Sequence, residues 1–158
     1  MDSVDSRDRA GRTELHYAAA SNGRKLETVA ALLAAGADPN VRDDDDRTPL
    51  HMAAYRPKSA DIIAVLLNAG ADPNALDGNG LTPLRVAVGK ARSLSVYRVL
   101  LEGGADPTIS GDIGGVSAAY YIARMGVEPE IELFSRFTNL PPKPEFMRDV
   151  PVHRPLKP

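Results

Sequence analysis

His16 and His51 are the residues whose type and spacing first suggest chemistry in this chain. They stand 35 residues apart in similar, alanine-rich surroundings. A metal-binding or acid–base role would require these imidazoles to converge with carboxylates. Arg85 and Tyr120 take the equivalent position further along the chain, where the surrounding pattern continues. We therefore predict a structural role for both histidines, with no catalytic residue and no metal ligand among them.

Two other stretches invite comparison with known sites. The four aspartates 43–46 suggest calcium, but they lack the alternating ligands and terminal glutamate of a calcium loop. A solvated acidic turn, partly neutralised by Arg9, Arg12 or Arg47, fits them better. Residues 111–115 are glycine-rich and precede a predicted helix, but the Lys-Ser/Thr ending of a phosphate loop is absent. We interpret this stretch as a turn as well.

Composition excludes several further functions. Without cysteine, the chain has no disulfide, thiolate nucleophile or cysteine metal site. The net charge of −2 provides no global attraction to nucleic acid or to an anionic membrane. No long apolar window, apolar N-terminal segment or Gly-x-Ser-x-Gly motif occurs. We expect a cytoplasmic protein that is not an enzyme, carries no cofactor and is monomeric when free.

A repeated segment organises the chain. Its clearest copy runs from Thr48-Pro49-Leu50-His51 to Ala69-Gly70-Ala71-Asp72-Pro73-Asn74. Spacings of 34 or 35 residues separate the equivalent positions, which are Thr13, Thr48, Thr82 and Ser117, and also Gly36, Gly70 and Gly104. A fixed period of this length indicates a stacked repeat array.

The Thr-Pro-Leu-His run and its spacing resemble the ankyrin repeat. The resemblance implies an all-α solenoid of stacked helix-loop-helix units joined by β-turn "fingers". It predicts an ankyrin-repeat domain over 1–134, with units at about 5–40, 41–74, 75–108 and 109–134, the last degenerate. The family's histidine is expected to hydrogen-bond within and between adjacent fingers.

Local signals predict where the helices begin and end. Thr13 is expected to cap the first helix of unit one, and Pro49 to occupy the first turn of its counterpart in unit two. The second helix of unit one is predicted over about 26–35, ended by Gly36. Ser59 is expected to cap the second helix of unit two.

The resemblance also implies a binding surface, because proteins of this type bind partners with finger tips and with the exposed side of the first helices. The first-helix positions include Ala20, Ser21 and Gly89. The partner-binding positions that we predict by this mapping are Arg9, Arg12, Arg42, Asp44, Asp45, Arg47, Tyr55, Arg56, Leu76, Asn79, Leu81, Lys90, Ile113, Val116, Arg124 and Met125.

Two classes of function follow. The first is a protein-binding module, such as a small stand-alone adaptor or inhibitor that occupies a partner's surface. A bacterial immunity or antitoxin-type protein that neutralises a toxin is an alternative within this class. The second is an enzyme or small-molecule binder with a pocket near the fourth repeat. Residues 109–125 offer few convergent polar groups, which favours the first class.

The segment 135–158 has a different character, with six prolines and no helical periodicity. Its Pro141-Pro142-Lys143-Pro144 run is a minimal proline-rich ligand pattern without a flanking basic residue, so an extended structural segment is preferred. The three phenylalanines of the chain, Phe134, Phe137 and Phe146, all lie here or directly before it. We expect this tail to fold back and cover the last repeat.

Truncation tests this expectation. Removing the residues after Ser135 should lower the melting temperature, because burial of Phe137 and Phe146 contributes about 1.5–3 kcal/mol each before the cost of ordering the segment. Thermal unfolding followed by circular dichroism measures the change. An unchanged melting temperature in a monomeric truncated protein would instead assign the tail to partner binding.

Overall fold

A computed structural model describes residues 4–91, 93–110 and 117–125, with side chains to residue 122. These residues form seven helices and no strand. The helices are α1 (Glu14–Ala19), α2 (Leu26–Ala34), α3 (Pro49–Ala54), α4 (Ala60–Asn68), α5 (Pro83–Lys90), α6 (Leu94–Glu102) and α7 (Ala118–Met125). None of them is long and apolar enough to cross a bilayer.

The helices form two layers of paired elements. The first helices of successive units, α1, α3, α5 and α7, pack side by side, and α2, α4 and α6 form the second layer. Each of α1, α3 and α5 also packs on the helix that follows it. The predicted all-α stack of helix-loop-helix units is confirmed.

Equivalent apolar positions supply the core between these layers. Leu15, Leu50 and Leu84 lie at the same position of three first helices and have no exposed surface. Burial of each such side chain stabilises the fold by about 1.5–3 kcal/mol. Since α1 and α3 contain only six residues each, neither is stable alone in water. Stacking therefore provides most of the stability of each unit.

The second helices end at a glycine, as predicted. Gly36 adopts a φ of +91°, which a side chain would strain, and Gly70 and Gly104 both adopt +93°. At the first of these ends, the N–H of Ala37 donates to the carbonyl of Leu32 at 3.0 Å. This pattern satisfies the last carbonyls of the helix and turns the chain back toward the next finger.

Helix starts agree with the predictions at Thr13 and Pro49, but the role assigned to Ser59 was wrong. Ser59 does hold the N-cap position of α4. Its hydroxyl points the other way and shares its one proton between the carbonyls of Ala53 and Arg56, at 2.6 and 2.8 Å. The Ala53 carbonyl also accepts the backbone N–H of Arg56 at 2.9 Å, so the buried hydroxyl adds a second bond to the end of α3 instead of capping α4.

The two histidines connect consecutive units. The backbone N–H of Thr13 donates to Nδ1 of His16 at 3.1 Å, and Nε2 of His16 lies 3.0 Å from the carbonyl oxygen of Arg47 in the next unit. His51 repeats the arrangement, with its Nε2 2.9 Å from the carbonyl of Leu81. The expected bonding within and between fingers is confirmed.

These partners determine the protonation of both rings. A backbone N–H can only donate and a carbonyl can only accept, so each ring is neutral with its proton on Nε2. Both rings are buried, with His16 fully inaccessible to solvent. Burial lowers the pKa of His16 and His51, and the carbonyls of Arg47 and Leu81 only partly oppose this effect.

The fourth unit is described only in part. Ser117 precedes α7, where Tyr120 and Ile122 are buried. Residues 111–116, which include the predicted fourth finger, and residues 126–158, which include the domain end at 134 and the tail, lie outside the described residues.

Stability should fall as the pH drops below about 6.5, the ordinary pKa of histidine. The folded state has the lower pKa, so the unfolded state takes up protons first and is favoured by acid. Each histidine can contribute at most about 1.4 kcal/mol per pH unit. Urea unfolding at a series of pH values measures this slope. A His16→Gln, His51→Gln variant, which keeps His153, should show a flatter slope; an identical slope would contradict the account.

Candidate functional site

The three described fingers, 7–12, 42–47 and 76–81, share one carboxylate-centred turn. In the second finger, Oδ1 of Asp43 accepts the backbone N–H groups of Asp45 and Arg47 at 3.0 and 2.9 Å. Asp8 and Asp77 do the same in the first and third fingers, at 2.8–2.9 Å. Each turn is therefore held from inside by an aspartate that is not available to a ligand at this oxygen.

A left-handed residue completes each finger. Gly11 and Gly80 adopt φ values of +69° and +70°, and Asp46 takes the same conformation at +57°. Aspartate tolerates this region better than most residues. The acidic second finger therefore keeps the turn that glycine provides in its neighbours.

Neighbouring fingers are hydrogen-bonded to each other. The N–H of Asp44 donates to the carbonyl of Ala10 at 3.1 Å, and the N–H of Gly78 donates to the carbonyl of Asp45 at 2.8 Å. Nη1 of Arg42 reaches the carbonyl of Leu76 at 2.8 Å. The fingers thus form a continuous, internally bonded edge of the stack.

Asp43 differs from the solvated acidic turn that the sequence predicted. Its side chain is fully buried, and Oδ2 lies 3.2 Å from Nε of Arg12 and 3.1 Å from Nε of Arg47. Burial alone would raise the pKa of Asp43, but the N–H and guanidinium of Arg47 and the guanidinium of Arg12 hold it below its usual range. Only the other three aspartates, 44–46, are exposed. The prediction was wrong for Asp43, because its carboxylate is buried and accepts hydrogen bonds inside the finger instead of being solvated.

A groove of about 400 Å³ opens between the second and third units. Its lining residues come from fingers and first helices: Ala20, Arg47, His51, Met52, Tyr55, Arg56, Asp77, Asn79, Leu81, Arg85, Val86, Gly89 and Lys90. No residue of α2, α4 or α6 lines it. We call this surface the concave groove.

The concave groove brings together six of the predicted partner-binding residues, which are Arg47, Tyr55, Arg56, Asn79, Leu81 and Lys90. Six others, Arg9, Arg12, Arg42, Asp44, Asp45 and Leu76, lie on the fingers and do not line it. The remaining four, Ile113, Val116, Arg124 and Met125, lie outside the residues whose side chains the structure describes.

Tyr55 is the most prominent side chain of the concave groove, with 46% of its surface exposed. Its ring centre lies 5.6 Å from Cζ of Arg56 and 5.5 Å from Nζ of Lys90. Both cations are within the range of attraction to an aromatic face, which contributes about 0.5–1 kcal/mol at an exposed site. The ring therefore lies close to two cationic side chains, one from each of two units.

Sequence mapping missed several lining residues. Met52 and Val86 precede Tyr55 and Gly89 by three residues, so they lie on the same helix face one turn earlier. That spacing could have identified them. Arg85 was noted only as a replacement for histidine, yet it lines the groove and its Cζ lies 4.2 Å from the ring centre of Tyr121.

Gly89 leaves space opposite Tyr55. A Cβ atom built at this glycine would meet only Nη1 of Arg85, at 3.5 Å, which is ordinary contact. The absence of a side chain therefore widens the groove and is not required by the helix. Conversion to a larger residue should be tolerated by the fold.

The imidazole and the carboxylate that line the groove beside these cations already have hydrogen-bond partners within the protein. Both nitrogens of His51 are engaged, and Oδ1 of Asp77 accepts two backbone N–H groups. Within the described residues, no three histidine or carboxylate side chains are grouped to hold a metal ion. The concave groove is suited to recognition through shape, aromatic contact and positive charge.

Comparison with known proteins places the repeats in a family. A family model described as ankyrin repeats, in three copies, matches residues 15–110. A putative ankyrin repeat protein of Acanthamoeba polyphaga mimivirus is 44% identical over 50 residues, which are 32% of this chain and 7% of that protein. The matched stretch is thus a small part of that relative's length.

Two glycine substitutions test the open space in the groove. Gly89→Ala should raise the free energy of unfolding by about 0.5–1 kcal/mol, because the new Cβ fits and alanine favours the helix. Gly23→Ala, in the loop between α1 and α2, should lower it by about 1 kcal/mol or more, since its φ is +84° and its Cβ would overlap the backbone carbonyl oxygen of Lys58. Chemical denaturation measures both, and effects of the same sign would contradict the geometry.

Proposed function

Because this chain belongs to the ankyrin-repeat family, whose repeats are protein-binding modules, we propose that it acts as an adaptor or inhibitor that occupies a partner's surface through its concave groove. The observation that carries the proposal is the exposed Tyr55 between Arg56 and Lys90. Tyrosine and arginine are the side chains most often found at energetic centres of protein interfaces.

The rigidity of the surface supports the same function. The fingers are bonded to one another, and His51 joins α3 to the third finger. Ordering a partner against a rigid surface costs less conformational entropy than ordering both sides. The first-helix layer and fingers thus present Tyr55 in a fixed position.

The character of the lining favours a protein over a small molecule. Small-molecule sites enclose most of the ligand. Here Tyr55, Arg56, Asn79, Gly89 and Lys90 are all exposed. An open groove with an exposed aromatic centre suits a segment that protrudes from a larger partner.

The cationic side chains support recognition but not acid–base catalysis. His51 and Asp77 supply the imidazole and the carboxylate of the lining, and both nitrogens of His51 and Oδ1 of Asp77 are committed to hydrogen bonds with the backbone. A general base must have an open position toward its substrate. The hydrogen bonds that these two groups already make therefore support binding to a partner's surface as the mode of action.

The double substitution Tyr55→Ala, Arg56→Ala tests the proposal. It should leave the fold intact and weaken partner affinity by at least about 2 kcal/mol, or roughly thirtyfold, as loss of an interface centre does. Isothermal titration calorimetry with the partner recovered by co-purification provides the measurement.

A matched control uses Asn68→Ala with Arg98→Ala, on the second-helix layer, which contributes no residue to the groove. This variant should bind normally. Unchanged affinity in the folded Tyr55→Ala, Arg56→Ala protein would place the contact on another surface.

A further inference from the structure

The concave groove has a charge opposite to that of the whole chain. Four cationic side chains line it, Arg47, Arg56, Arg85 and Lys90, against one carboxylate, that of Asp77. The complete sequence carries a net charge of −2. The positive charge is therefore concentrated where the proposed function places the partner.

Two of these cations are already engaged within the protein. Arg47 pairs with Asp43 and with Asp45, and Arg85 lies over the ring of Tyr121. The charge of Arg47 is largely compensated by these carboxylates, and the guanidinium of Arg85 is held in place by the aromatic ring. These two arginines therefore contribute more to the structure of the groove than to the attraction of a charged ligand.

Arg56 and Lys90 are different. Both are exposed, and no carboxylate of the described residues comes within 4.0 Å of either. Among the described residues both cations contact the ring of Tyr55, and their N–H groups can still donate to an acceptor of a partner. Carboxylates are the strongest acceptors that a protein partner offers to such cations.

The lining carboxylate does not cancel this attraction. Asp77 is only 8% exposed, and its Oδ1 accepts the N–H groups of Asn79 and Leu81. The exposed aspartates 44–46 stand on the second finger and do not line the groove. An acidic ligand is therefore drawn to the helix side of the groove and repelled from the finger side.

Apolar surface lies beside the two cations. Met52, Leu81 and Val86 are half-buried and line the groove next to the space left by Gly89. A single apolar or aromatic side chain fits such a space and gains the buried contact that anchors an interface. Phosphate backbones offer no such anchor.

We infer that the concave groove binds an acidic peptide segment of the partner, with an apolar side chain over Gly89 and carboxylates on Arg56 and Lys90. This inference rests on the proposed function and adds the chemistry of the partner. The carboxylates lie toward the first helices, away from aspartates 44–46. The attraction weakens as salt screens the exposed charges.

Selection from an unbiased display library of short random peptides, with the full chain as bait, tests the inference. Enriched peptides should carry several Asp or Glu residues around one aromatic or large aliphatic residue. Fluorescence polarisation of these peptides should show affinity that falls as NaCl is raised. Arg56→Glu with Lys90→Glu should weaken binding by more than about tenfold.

The control Arg24→Glu with Arg98→Glu gives the same net charge, but neither position lines the groove; it should change affinity by less than about twofold. If the first charge-reversed variant fails to fold, Arg56→Gln with Lys90→Gln supplies the same comparison. Tyr55→Ala reports whether a peptide occupies the groove.

The outcomes separate the two proposals. Neutral or basic peptides that lose binding in Tyr55→Ala would overturn the acidic specificity and leave the groove as the binding site. Selected peptides indifferent to Tyr55→Ala, or no binders at all, would count against the groove itself. Competition by mixed-sequence single-stranded DNA as strong as that of the acidic peptides would assign the cations to phosphate and overturn the inference.

Discussion

The coupling of the first three units depends on one hydrogen-bonded histidine ring, repeated once along the stack. A neutral, buried histidine accepts from the threonine N–H of its own unit and donates to a carbonyl of the next, at His16 and again at His51. A charged ring would put a proton on Nδ1, facing an N–H donor. Because the short first helices are not stable alone, this coupling joins units that have no independent fold.

Constant backbone geometry leaves the side chains free to differ. Asp8, Asp43 and Asp77 hold their turns in the same way, while the exposed residues between them change from one finger to the next. The concave groove arises from such a difference: unit two places a tyrosine at the position where unit three has Gly89. Recognition is thus a property of a few side chains on a framework that the repeat supplies.

Sequence reasoning was reliable where a local signal has a single physical meaning. A proline in the first turn, a glycine at the left-handed end and a 34- or 35-residue period predicted helices, ends and stacking that the structure confirms. Prediction from sequence was less reliable for polar side chains that can form hydrogen bonds or ion pairs with more than one group. Ser59 bonds backward to α3, and Asp43 is buried between two arginines, because acceptors and cations distant in sequence are close in the stack. The mapping found Tyr55 and Lys90 but could not show that their side chains meet.

If a partner occupies the concave groove, position-specific photo-cross-linking should capture it there. A benzophenone amino acid replaces Tyr55 in one protein and Asn68, on the second-helix layer, in another, and both are irradiated in extracts of the native cells. We expect one dominant cross-linked species from position 55, competed by unlabelled protein, and none from position 68. A specific product from position 68 alone would show that the partner binds another surface.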